Sequence, residues 1–158
     1  MNEVSINKNK KLSEHFTLGE LTKTSYHTLG GNIPSHVAIE NLTRLCLWLE
    51  LLRERYNRLY GDATREIPVV ITSGYRSEEV NRLCGGAKGS NHLTGCAVDI
   101  RCAGPEQMIR YACILLDTAD ENGWELDELI QEKRGTTYWV HFAVRPKDNR
   151  RKILFDCR

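Results

Sequence analysis

The stretch SGYRSEEVNRLCGGAKGSNHLTGCAVD, from Ser73 to Asp99, decides how the rest of this chain is read. Ser73-Gly74 breaks a preceding apolar run, Ile67 to Thr72, which reads as a strand with no clean alternation and therefore covered on both faces. Ser77 to Leu83 is expected to be a short helix with Ser77 as its N-cap. Gly85 to Ser90 is a loop, and Cys96 to Cys102 a second strand. On that strand Val98 and Ile100 share one face, with Ala97 and Asp99 on the other.

Outward from this stretch, two long helices are expected. Pro34 opens one over Ser35 to Tyr60, with Val37, Leu42, Leu45, Leu49 and Leu52 at helical intervals and Gly61 as its stop. Pro105 opens the other, which runs to Asn122 and stops at Gly123. Before them, Thr17 and Glu20 form a capping box for a short helix. Leu126 to Glu132 and Tyr138 to Val144 read as strands joined by a hairpin, with Trp139, His141 and Ala143 on one face. A last strand is expected over Lys152 to Asp156. The fold class is α+β, with helices against a mainly antiparallel sheet. Residues 1–15 read as a flexible lead-in, and 16–158 as a single domain.

Composition narrows the function. With 158 residues, 27% charged and a net charge of +1, nothing in the overall field points to nucleic acid. A membrane span is not expected, because no apolar run is long enough. The basic run Arg145, Lys147, Arg150, Arg151 and Lys152 has no interleaved aromatics and reads as a solvated face. The first residues, MNEVSINKNKKLSEHF, lack the apolar core of a secretory signal, so synthesis in the cytoplasm is the expectation. The six cysteines contain no CxxC and read mostly as reduced structural thiols; Cys46 and Cys113 fall on apolar helix faces. A disulfide-stabilised or thiol-reactive protein is the competing reading. The chain is expected to act as a monomer.

Two histidines and one carboxylate suffice for an open zinc site. Asp99 stands between apolar neighbours, where a carboxylate is costly unless paired or metal-bound. His92 precedes it across Leu93-Thr94-Gly95, and His141 lies on the neighbouring strand. The residues alone leave two readings: a metal site, or a packed core histidine at 141 with Asp99 paired to an arginine. Glu132, ending the strand beside that of His141, is the candidate general base. Arg76 is the candidate clamp for a carbonyl or carboxylate, against a structural ion pair. Glu128 reads as a solvated hairpin carboxylate.

Ser90 to Asp99 matches the pattern S-x-H-x-x-G-x-A-x-D. With Ser73 to Ser77, Asn81, the Trp139-Val140-His141 triplet and an FxxxEL opening at Phe16, it resembles the M15 family of zinc peptidases, which holds D-alanyl-D-alanine carboxypeptidases and phage endolysins. The resemblance runs from Phe16 to Val144. It implies one zinc ion on His92, Asp99 and His141, with Arg76 and Ser90 contacting substrate. The position three residues before the last histidine, Glu in some members, is Tyr138 here, and the base role passes to Glu132 at the end of Leu129-Ile130-Gln131-Glu132. It implies cleavage of peptidoglycan stem peptides at or near D-amino acids, reached after lysis or by dedicated export, with a phage or prophage origin in view. Related hedgehog domains keep zinc on this scaffold without acting chiefly as peptidases, so a non-catalytic zinc module that binds cell-wall peptide or protein is the alternative.

Overall fold

The computed structural model describes residues 5–158. Its elements are the helix α1 (Leu18–Leu21), the long helix α2 (His36–Tyr60), strand β1 (Ile71–Ser73), helix α3 (Glu78–Leu83), a 3₁₀ turn (Asn91–Thr94), strand β2 (Ala97–Cys102), helix α4 (Pro105–Asn122), and strands β3 (Glu128–Arg134), β4 (Thr137–Ala143) and β5 (Lys152–Cys157). The five strands form one sheet in the order β1-β2-β4-β3-β5, antiparallel except where β5 runs parallel to β3.

Local chemistry sets the helix starts. Thr17 and Glu20 close the capping box of α1. The Ser35 and Ser77 hydroxyls accept from the backbone N–H groups of Ala38 and Val80. Pro105 begins α4, and Gly123 ends it in the left-handed region, at φ 63°. Gly61 ends α2 in extended backbone.

One face of the sheet is the core. Leu42, Leu45, Leu49 and Leu52 of α2 and Tyr111 and Leu115 of α4 are buried with Val98 and Ile100 of β2 and Val140 and Phe142 of β4. Each fully buried leucine contributes about 1.5–3 kcal/mol of transfer free energy. Trp48 packs on Phe142 with ring centroids 5.1 Å apart, and Tyr56 meets Tyr111 edge-on at 4.9 Å. The opposite face carries the polar residues: Asp99 on β2, His141 on β4, and Glu128 and Glu132 on β3.

Three readings of the sequence change. β1 is shorter than the expected run, because the Asn57 side chain takes both backbone groups of Ile67, accepting from its N–H at 2.7 Å and donating to its carbonyl at 2.9 Å. Residues 5–15 are docked: Leu18 N–H donates to Lys10, Gly19 N–H to Lys8, and Glu50 of α2 accepts from Ser13 and His15. Met1 to Val4 lie outside the described residues. Cys113 and Val37 face solvent; Cys46 is buried, as expected, and burial pushes its thiol up to about 12. All six cysteines are free. Among the described residues no helix is long and apolar enough to cross a membrane.

Candidate metal centre

The site is built where β2, β4 and the 3₁₀ turn meet. Asp99 and His141 are direct cross-strand partners, so their side chains share the polar face. His92 comes from the turn. Ser90 caps that turn by accepting from His92 N–H, and Arg76 N–H donates to the His92 carbonyl at 3.0 Å. Asn41 of α2 donates its amide to the Thr94 carbonyl at 2.8 Å. Gly95 then reverses the chain at φ 71°, and a Cβ there would stand 2.4 Å from the Ala38 carbonyl oxygen. No side chain fits that corner, which is why the turn can press against α2 and aim His92 at Asp99.

The hydrogen bonds fix which ring nitrogens remain for a ligand. His92 Nδ1 lies 2.7 Å from the Gly74 carbonyl oxygen, which can only accept, so Nδ1 carries a proton and Nε2 is the nitrogen that faces the cluster. Nε2 stands 3.4 Å from Asp99 Oδ1. His141 Nδ1 lies 3.0 Å from that same oxygen, while its Nε2 lies 2.9 Å from Glu128 Oε2. The other Asp99 oxygen accepts from Arg76 Nη2 at 2.8 Å, and Arg76 Nε donates to Ser73 Oγ at 2.9 Å.

This donor set fits a zinc ion. His92, Asp99 and His141 each offer one ligand atom, all within 4.8 Å of one another. Tetrahedral ligands about 2.0–2.2 Å from one ion stand roughly 3.3–3.6 Å apart, and from Asp99 Oδ1 the two ring nitrogens stand 3.4 and 3.0 Å away. Two neutral imidazoles and one carboxylate leave a fourth position open, and the outer nitrogen of each ring is held by a carbonyl or carboxylate.

The electrostatics follow from burial and close partners. Burial alone would raise the Asp99 carboxyl, but the charge of His92 and hydrogen bonds from His141 and His92 hold it well below the usual range. Burial pulls His141 down, yet its bonds to Asp99 and Glu128 push it up to about 9 in the metal-free chain. The His141 hydrogen bond, helped by Asn91 and Arg150 against burial, holds Glu128 at about 2. Glu132 moves the other way. Burial raises it first and the Asp99 charge adds to this, with His141 partly offsetting both.

The structure brings Arg76, His92, Asp99 and His141 together. Of the two readings of Asp99, the arginine pair is present and does not displace the ligand geometry. Glu132 lies opposite Trp139, one same-face step from Ile130, the cross-strand partner of His141. Ser90 is half-buried at the head of the turn. Glu128 is not the solvated carboxylate the sequence suggested: only 14% of its side chain is exposed, and it contacts His141. Strand parity was the available signal, since Glu128, Ile130 and Glu132 must share a face. The basic run is also built in. Arg150 pairs with Asp127 and Glu128, Arg145 with Asp127, and Arg151 with Asp120. Beside Arg76 lies a cavity of about 170 Å³ lined by Lys23, Thr24, Ser25, Tyr26, Thr72 and Ser73, among others.

No curated protein matches this sequence. A family model described as Peptidase M15 matches residues 14–131, which takes in Arg76, Ser90, His92, Asp99 and Glu128. It stops short of Glu132 and His141, whose places rest on the pairing of β3 with β4 and of β4 with β2. A match over most of the length, together with a donor set that suits the metal these peptidases use, places the chain: it belongs to the M15 peptidase family.

Proposed function

We propose that this chain is a zinc peptidase that hydrolyses peptidoglycan stem peptides at or near D-amino acids. The observation that carries the reading is the convergence of His92 Nε2, His141 Nδ1 and Asp99 Oδ1, with the other nitrogen of each ring already engaged. When bound by these three residues, zinc supplies a Lewis acid and makes water acidic enough to attack near neutral pH.

The remaining work falls to the chain. Glu132, its proton affinity raised by burial and by Asp99, takes the proton of the attacking water and returns it to the leaving amine. Arg76 is held by Ser73 and Asp99 through Nε and Nη2, and among the described residues Nη1 has no hydrogen-bond partner. That nitrogen is the donor for the carbonyl oxygen as negative charge builds on it. Ser90 accepts from His92 N–H and keeps its own hydroxyl proton to donate to substrate. The cationic, hydroxyl-lined cavity beside Arg76 suits a peptide carbonyl or terminal carboxylate.

Mass spectrometry of peptidoglycan fragments incubated with the protein, with and without a zinc chelator, tests this reading. Chelator-sensitive loss of one terminal D-Ala means a carboxypeptidase, and an internal cut means an endopeptidase. Intact fragments across several stem-peptide chemistries, from protein that contains zinc, would overturn the peptidase reading in favour of a non-catalytic zinc module.

A further inference from the structure

We propose that Glu128 is a positioning residue of the metal centre: it accepts a hydrogen bond from His141 Nε2–H and thereby commits Nδ1 to the metal. The inference rests on the zinc reading above and goes beyond it, because it gives a role to a residue that the motif does not contain.

The geometry separates Glu128 from the other site carboxylates. Its Oε2 is 2.9 Å from His141 Nε2, the ring nitrogen turned away from Asp99, while Nδ1 faces Asp99 Oδ1 at 3.0 Å. Glu128 therefore stands across the imidazole from the ligand cluster. It is neither a fourth ligand nor a base for the attacking water. What it does is fix the tautomer and the ring angle. A histidine donating one N–H to a carboxylate presents the other nitrogen as a stronger and better-aimed ligand.

Glu128 is itself held on every side. Oε2 also accepts from Asn91 Nδ2 at 3.0 Å, and Oε1 accepts from Arg150 Nη2 at 3.0 Å. Asn91 adjoins His92, and its amide reaches Asp127 Oδ2 at 2.8 Å while its Oδ1 accepts from Arg145 Nε at 2.9 Å. Arg150 grips both oxygens of the fully buried Asp127, at 3.0 and 2.7 Å. One network thus ties the turn bearing His92, the start of β3 and the segment after β4 to the far nitrogen of His141. The arginines that composition reads as a solvated face supply its countercharge.

The test compares zinc dissociation constants, by chelator competition, for the wild type, Glu128→Ala and Glu128→Gln, with ¹⁵N NMR of the histidine rings in the zinc-loaded wild type. The wild type is expected to show His141 metallated at Nδ1 and protonated at Nε2. Glu128→Ala is expected to bind zinc about 10–100-fold more weakly. Glu128→Gln keeps an acceptor for the Nε2 proton and is expected to recover most of that loss. Metallation at His141 Nε2 would overturn the proposal even if Glu128→Ala fails to fold. So would folded Glu128→Ala with the wild-type zinc constant, or Glu128→Gln as weak as Glu128→Ala. A wild type that binds no zinc sinks the zinc reading and this inference with it; tight wild-type binding with any of those results sinks only the role of Glu128.

Discussion

Two positions of β3, its first residue and its fifth, carry the same side chain and prepare it for opposite tasks. Glu128 and Glu132 lie on one face of one strand, opposite Ala143 and Trp139, with Ile130 between them. Glu128 takes a proton donor from His141 and further donors from Asn91 and Arg150, and is held at about 2. Glu132 is half-buried near the charge of Asp99, and its proton affinity rises. A carboxylate locked in its ionised form is a fixed acceptor; one that gains a proton readily is a base. Residue type does not choose between these tasks. The partners supplied by β4 and by the segment after it do.

The largest way to break the comparison is to remove what both carboxylates refer to. His141→Ala is expected to abolish zinc binding and turnover together, as are His92→Ala and Asp99→Ala; metal content by elemental analysis beside a peptide-release assay checks this. Next, Glu132→Gln should keep its zinc and lose about 10²–10⁴ in kcat. Full activity in that variant would remove Glu132 from the base role.

The pH dependence sharpens the contrast. His141 must lose a proton to serve as ligand, and in the metal-free chain it holds that proton up to about 9. Zinc affinity should therefore climb by up to about tenfold per pH unit from pH 6 toward pH 9, then level off. Chelator competition at several pH values measures it. Stability of the metal-free chain should run differently. The raised His141 contributes fully below its ordinary value of 6.5, and that contribution is lost as pH rises through about 9. The lowered Glu128 contributes above its ordinary 4.5, and its share is lost as pH falls through about 2. Melts with chelator present should peak between those ordinary values. The smallest effect is expected from Arg150→Ala, which loosens Glu128 without removing it: zinc affinity should fall by less than in Glu128→Ala, whose loss is about 10–100-fold.

Much of this was legible in the chain. Alternation along β2 and β4 put Asp99 and His141 on faces that could meet, and Gly95 marked the reversal that brings His92 to them. Helix ends at Ser35, Ser77, Pro105 and Gly123 followed from capping hydroxyls and from the backbone preferences of proline and glycine. What failed depended on partners distant in sequence. Glu128 looked solvated because its donors come from Asn91, His141 and Arg150, which only folding assembles. β1 was read too long because apolar composition does not show that Asn57 claims the backbone of Ile67. The segment before Phe16 looked loose because its anchors lie on Glu50 of α2.

The rim of the sheet bears on handling rather than on chemistry. Lys152 N–H points to Asp127 and Arg158 N–H to Lys133, so by alternation the backbone groups of Ile153, Phe155 and Cys157 point away from β3. Among the described residues no strand lies beyond them, and Ile153, Leu154 and Phe155 are all exposed, Phe155 by 60%. Such an edge is a sticky seam, guarded here by the charges of Lys152 and Asp156. At high concentration, or in salt that screens those charges, this is where precipitation should begin, and Phe155→Lys is the substitution to make before a sample is concentrated for spectroscopy.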